Sequence, residues 1–393
     1  MKIKTTLNKI YTYKFLDDLI LMYPFYSVYM TAKGLSVFQI SSLFVLWSLV
    51  SLLTNIPTGV FADKYSRKKL LALGQVFKAV SFVPWIIYPH YLGFAIAFIL
   101  WGIGSALTSG TFEALVYDEL KVNNKEQDYV KVIGRAYSFS LIGNLTATLL
   151  AGLAILLGFG FIFAASIIVI VLSSIVILTL PETPRFEQVS DQRYLSMLKT
   201  GIKRATHNKT IFAIILLAGF IGATYGSLEE YVPLFVYDTG LSLSFVAWAV
   251  GATVAAAAFG SFIAHRYEKM STGNFMIVLI SAGFMMFGAG LLGNNLAVLL
   301  LVGYTFIIRM LKQIYDGKLQ HSITSELRAT ITSVASFVLE LLAILTYLTY
   351  GLIADRYNNF IAFAVFGSLT VFVGLIYLVI SPRLVSRHEI NKK

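Results

Sequence analysis

The sequence predicts an all-α membrane protein of twelve transmembrane helices, arranged as two pseudo-symmetric six-helix bundles. Three observations carry this. The 393 residues are 57% hydrophobic and only 13% charged, with a mean hydropathy of +0.76, above the range of soluble globular chains. The apolar residues fall into runs of roughly twenty, the length at which a helix crosses a hydrocarbon core about 30 Å thick. Short motifs also recur in the two halves, as a fold of repeated six-helix units requires. Segments such as FAIAFILWGIGSAL at 94–107 lack two-residue alternation, which argues against a membrane barrel.

In chain order the spans are expected at 11–31, 37–62, 70–88, 91–118, 131–156 and 158–180, then at 210–237, 243–265, 273–291, 295–320, 329–354 and 358–381. The first follows a basic stretch, as in a signal peptide. No small-residue cleavage pattern follows, however, and the run carries Asp17 and Asp18, so it reads as a retained span. GLS recurs at 34–36 and 240–242, after the first span of each half, preceded by Pro24 and Pro233 respectively. The second span closes on GVFADKYSRKKLL, 59–71, whose Asp63, Lys64, Arg67, Lys68 and Lys69 form the short turn into the third. EALVYDEL at 113–120 ends the fourth, while GRAYS at 134–138 and RATITS at 328–333 open the fifth and eleventh.

The domains follow as a bundle at 1–180, a linker at 181–209, a second bundle at 210–381 and a tail at 382–393. In the linker, Tyr194, Leu195, Leu198, Ile202 and Ala205 share one helical face, with Lys199, Lys203 and Arg204 mostly opposite. That pattern suits an amphipathic helix on the inner leaflet, or a solvated linker.

The net charge of +11 reports orientation. With the N-terminus inside, the inner segments and the span ends beside them hold 26 of the 31 Lys and Arg. The outer loops hold Lys33 and Arg356, and Lys78, Arg309 and Lys312 lie within spans. This asymmetry places both termini in the cytoplasm and the chain in the cell membrane. Orientation and anionic lipid account for the basic balance, so nucleic acid is not an expected partner. The chain has no Cys, which removes disulfides, thiolate metal sites and Cys nucleophiles, and its five scattered His offer no metal-ligating pattern. The glycine-rich WGIGSAL and GFIGATYG lie inside spans without the strand and turn of a nucleotide loop, and no nucleophile triad is visible, so no enzyme is expected.

The turn after the second span resembles the G-x-L-A-D-r-x-G-r-k signature of the major facilitator superfamily, the twelve-helix secondary transporters. Gly59, Ala62, Asp63, Arg67 and Lys68 match, Pro57 fits the IPTG form common in bacterial members, and Ser66 departs from the usual Gly. EALVYDEL is similar to a segment of members regarded as drug exporters. The resemblance implies a cytoplasmic gate of Gly59, Asp63, Arg67, Lys68, Asp118 and Arg135. In it Asp63 locks the halves near the start of the eleventh span, and Arg67 pairs with Asp118 or Glu119. Taken as exposed, such a pair is worth ~0–1 kcal/mol. Two positions depart from the exporter pattern: Phe98 stands where a basic residue is expected, and SLIGNLTATLLAG at 140–152 keeps Gly143 and Gly152 but no Pro.

Ionisable residues within spans are costly and mark function. On the tenth span Arg309, Lys312, Gln313 and Asp316 fall along one face, with Lys312 and Asp316 spaced to pair within the helix. The available acids are Asp18 beside Asp17, Glu113 on a Ser109–Glu113–Tyr117 stripe, Glu229 and Glu230, and Glu340, which is the expected partner of Arg309. Burial raises a carboxylate's proton affinity, giving a coupling chemistry without any cofactor beyond the proton. The expected activity is proton-coupled export of amphipathic small molecules by a monomer. The alternatives are transport of an anionic or zwitterionic metabolite held by Arg309 and Lys312, or a non-transporting sensor of the same fold.

Overall fold

The computed structural model describes residues 2–182, 209–321 and 328–390, with side chains described except at 2, 55–64, 209–211, 319–321, 328–333 and 380–390. Among these residues the chain forms fifteen α-helices and no strand. They are α1 (Lys2–Asp17), α2 (Tyr26–Ala32), α3 (Val37–Lys64), α4 (Arg67–Ile87), α5 (Tyr91–Thr108), α6 (Thr111–Val122), α7 (Tyr129–Ala154) and α8 (Phe159–Leu178), followed by α9 (Lys209–Glu229), α10 (Val232–Asp238), α11 (Leu243–Ile263), α12 (Thr272–Leu292), α13 (Ala297–His321), α14 (Arg328–Arg356) and α15 (Asn359–Ile390). Among the described residues, eleven segments are long and apolar enough to cross a membrane, and they match the second to twelfth expected spans.

Three expected spans are broken. The first divides into α1 and α2, separated by Asp18–Phe25. Pro24 has no N–H to continue the helical ladder, and the chain turns instead through Leu19 N–Leu16 O, Tyr23 N–Ile20 O and Phe25 N–Met22 O bonds of 3.2, 3.2 and 2.9 Å. The Met22 N–H, buried here, donates to Ser166 Oγ on α8 at 3.1 Å, which supplies the partner that a backbone group away from water requires. The seventh divides likewise: α9 ends at Glu229, the Tyr231 N–H donates to Leu228 O at 3.0 Å, and Pro233 lies in the first turn of α10. Gly34 and Gly240 then close α2 and α10 with φ of 89° and 87°, so the repeated GLS marks the same turn twice.

The fourth span, expected unbroken over 91–118, is α5 and α6 joined at Ser109–Gly110, and it runs on to Val122. Gly110 has a φ of 71°, a conformation that costs glycine little and other residues much. Ser109 therefore sits in the break, and the expected Ser109–Glu113–Tyr117 stripe is not one helical face. Glu113 instead occupies the first turn of α6.

The chain forms two compact units, Met1–Asp191 with Leu243–Gly251, and Gln192–Ser242 with Ala252–Lys393. Within the first, α1 packs on α7, and α4 packs on both α5 and α8. Within the second, α9 packs on α14, and α12 packs on both α13 and α15. Counting spans, each unit pairs first with fifth, third with fourth and third with sixth. The expected amphipathic helix around Tyr194–Ala205 lies outside the described residues.

The crossing of α1 and α7 depends on Gly143. A Cβ there would stand 2.2 Å from the Phe15 carbonyl oxygen on α1, a backbone atom that cannot swing aside. Gly143→Ala is expected to destabilise the purified protein by about 1–3 kcal/mol, the usual cost of overpacking. Thermal unfolding in detergent measures it, and an unchanged melting temperature would show that the crossing opens without cost.

Candidate functional site at the helix breaks

In the first unit the last turn of α1 meets the middle of α4. The Asp17 carboxylate accepts from Lys14 Nζ at 3.0 Å, from Lys78 Nζ at 2.8 Å and from Gln75 Nε2 at 2.8 Å. Gln75 Nε2 also donates to the Tyr13 hydroxyl at 3.0 Å, so both of its acceptors are oxygens and the amide orientation follows from them. Gln75 and Lys78, three apart on α4, share one face. Asp17 and Lys78 are only 6% and 7% exposed, so this is an interior ion pair, which requires compensation from every side. Asp18, one residue on, accepts a hydrogen bond from the Ser140 hydroxyl on α7 and is half-buried.

The cluster extends along α7 and α6. Lys14 Nζ lies 5.1 Å from the Phe112 ring and 5.6 Å from the Tyr137 ring, and the Tyr137 hydroxyl donates to Glu113 Oε1. Two acceptors here are buried without a partner among the described residues, Gln75 Oε1 and Glu113 Oε2. Leaving such atoms unpaired costs free energy, so they mark where a donor belongs. On the far side of Lys78, its ammonium lies 5.9 Å from the half-buried Trp101 ring, which packs edge-on against Tyr23 and Phe82.

In the second unit α13 presents the expected polar face. Lys312 pairs with Asp316 one turn on, at 2.6 Å, as the spacing predicts, and Gln313 is exposed. Arg309 donates from Nε to Ser261 Oγ on α11 at 3.1 Å, and its guanidinium stands 5.2 Å over the Tyr225 ring on α9. Glu229, at the end of α9, interacts with the Tyr225 hydroxyl and feels the charge of Arg309. The expectation of an Arg309–Glu340 partnership thus meets a different set of described contacts for Arg309, all on α9 and α11. Glu340 on α14 is placed with Glu230 around Tyr347.

The expected gate is partly described. Arg67 Nη1 donates to Asp118 and, at 2.9 Å, to the Ala114 carbonyl, fastening the start of α4 to α6. Both partners are buried, which corrects the expectation of an exposed pair. Lys68 Nζ donates to the Leu180 carbonyl at 2.8 Å and pairs with Glu182 at 3.2 Å, and Lys9 Nζ donates to the Thr179 carbonyl at 2.8 Å. Two ammonium groups therefore meet the carbonyls just past α8, where the helix dipole favours positive charge. Arg135 is exposed on α7. Gly59 and Asp63 lie in the last turns of α3, and their side chains are outside the described set.

Sequence reasoning missed Lys14, Gln75, Lys78 and Tyr13 as site residues and named Asp17 only as the neighbour of Asp18. One signal was legible: Lys78 is one of three cations within spans and needs an acid.

Comparison with known proteins agrees with this architecture. The chain is 24% identical over 224 residues to the uncharacterized MFS-type transporter YxaM of Bacillus subtilis, a match covering 56% of this chain and 55% of that relative. Its fold is similar to the crystal structure of the nucleoside transporter NupG, with a TM-score of 0.79 at 15% identity over 96% of this chain and 99% of that one. It is also similar to the D-xylose–proton symporter, with a TM-score of 0.73 at 15% identity over 96% of each. The family model of the Major Facilitator Superfamily matches residues 15–346, and the chain belongs to that superfamily of membrane transporters.

Proposed function

We propose that this secondary transporter is proton-coupled, works by alternating access and exports amphipathic small molecules. The observation that carries the reading is the pair of buried acceptors without partners, Gln75 Oε1 and Glu113 Oε2, in a unit whose buried Lys78 is already neutralised by Asp17. A ligand with an N–H or ammonium donor and an apolar body satisfies such a site. Carboxylates at membrane depth supply the coupling chemistry, because burial lets a carboxyl hold a proton near neutral pH. The paired helix contacts of the two units supply the repeat that rocking between two states uses. The protein sits in the cell membrane with both termini cytoplasmic, following the Lys and Arg distribution, and acts as a monomer on a small-molecule substrate without a cofactor.

A second reading, transport of an anionic or zwitterionic metabolite, draws on Arg309, whose half-buried guanidinium over Tyr225 is suited to hold a carboxylate or phosphate. Purified protein in sealed vesicles loaded with a pH-sensitive dye separates the two. Ethidium, uridine, D-xylose and benzoate are added in turn, with uptake followed in parallel. Proton movement opposite to ethidium is the expected result, and benzoate-driven proton co-uptake would favour the second reading. Uptake of any of them with no proton movement would overturn coupling.

A further inference from the structure

The hairpin of α6 and α7 carries an acid and three tyrosines in two facing steps. In the deep step the Tyr137 hydroxyl on α7 donates to Glu113 Oε1 on α6. In the rim step, nearer the connection at 123–128, the Tyr117 and Tyr129 rings meet edge to face, with centroids 5.7 Å apart and planes at 78°. The steps are one helical turn apart on α6, because Glu113 and Tyr117 are four residues apart, a rise of about 6 Å. The charge of Glu113 reaches Tyr129 as well as Tyr137, so the two steps belong to one neighbourhood. Ile133 lies midway in sequence between the two α7 tyrosines, and with Tyr129 it packs on the buried cluster that includes Phe112, Leu115, Val116 and Val132. The steps therefore have an apolar floor.

This arrangement leaves chemistry unused. Glu113 Oε2 is buried and has no partner among the described residues, and Glu113 makes no ion pair there. Lys14, whose ammonium stands 5.6 Å over the Tyr137 ring, gives its ion pair to Asp17 instead. Tyr117 and Tyr137 are 38% and 44% exposed, and among the described residues no cation stands over the Tyr117 or Tyr129 ring. A buried carboxylate oxygen without a donor calls for one, and an ammonium supplies both the hydrogen and the charge. Exposed tyrosine rings one turn away offer an apolar body a place to lie and a cation a favourable face.

We propose that the α6–α7 slot takes up an arylalkylammonium, its N–H donating to Glu113 Oε2 and its aryl ring lying against Tyr117 and Tyr129. One open acceptor needs one N–H, so a tertiary amine fits as well as a primary one, and a short alkyl spacer covers the turn between the steps. With the N-terminus inside, the connection at 123–128 is cytoplasmic, and the slot faces the side from which an exported amine is collected. The inference rests on the export reading above and deepens it, naming the substrate class and the residues that first receive it.

Isothermal titration calorimetry of the purified protein in detergent, at about pH 7 where the amine is charged, tests this with N,N-dimethyl-2-phenylethylamine as the probe. Ethylamine supplies the head alone and 2-phenylethanol the ring without charge. The wild type should bind the probe, and both partial compounds at least about tenfold more weakly. Glu113→Gln should weaken the probe about tenfold or more, as expected for loss of a hydrogen bond to a charged group, while leaving 2-phenylethanol unaffected. Tyr117→Leu keeps apolar bulk at an exposed position and should weaken the probe about two- to fivefold, which keeps the slot testable if Glu113→Gln does not fold. A folded wild type that does not bind the probe, ethylamine bound as tightly as the probe, or probe affinity unchanged in both variants would overturn the slot. If ethidium still moves protons in the vesicle assay, the export reading survives that loss. Binding that falls as stated in the variants, without any ethidium-driven flux, would leave the slot assigned and overturn the export reading.

Discussion

Lys78→Met should lower the stability of the purified protein by about 3–5 kcal/mol, the cost of removing one member of a buried ion pair. The size of the effect follows from where Asp17 sits. Its carboxylate is almost wholly removed from solvent, and Lys78 is one of its two ammonium partners and the one contributed by another helix. Without Lys78, water cannot readily replace the lost interaction, and α1 loses an ionic tie to α4. The double variant Lys78→Met with Asp17→Asn should recover most of the loss, because no uncompensated carboxylate remains and Gln75 keeps an acceptor. Thermal unfolding of the wild type, both single variants and the double variant in detergent tests this. If the single variant melts with the wild type, the ion pair contributes nothing net. If the double-variant losses simply add, the two groups act independently.

Arg67→Ala should be comparably damaging, although the motif around it points to a gating role. Arg67 makes a charge-assisted bond to Asp118 and a second bond to the Ala114 carbonyl, and both charged side chains are buried. Truncation strands Asp118 and leaves a carbonyl of α6 short of its donor, a loss of about 3–5 kcal/mol. Asp118→Ala in the Arg67→Ala background should restore much of the melting temperature. Transport by the stabilised double variant then reports what the pair does for gating apart from folding. A single variant that folds and melts normally yet transports slowly would instead restore the view of an exposed, weak switch.

How much of this was legible depends on the physical scale of each feature. Helix number and order follow from run length and polarity, which the chain carries residue by residue, so eleven spans appear where expected. The breaks were not legible, because hydropathy is insensitive to backbone direction. LILMYPF is apolar throughout yet contains the turn between α1 and α2, and Ser109–Gly110 interrupts a run whose composition continues across it. Arg67 and Asp118 could be matched because a motif fixes where each lies. The partnership of Asp17 with Lys78 could not, since 61 residues separate them and only the fold of one unit, in which α1 and α4 both pack on α8, brings them within 2.8 Å. Burial was the quantity most difficult to anticipate. It turned the motif's pair from a marginal surface contact into an interior one and put Asp17 at the centre of a cluster.

The bend at Gly110 makes the fourth span two members joined by a pivot, and the fastenings decide which neighbour each member follows. α6 packs more extensively against α4 than against α5, its own continuation in the chain, and the Arg67 clasp to Ala114 and Asp118 lies on that side. In mechanical terms α6 is a crank riveted to the foot of α4, with Glu113 at the end nearest the pivot. A torque applied at Glu113, by whatever it binds, is delivered to the turn between α3 and α4 without passing through α5.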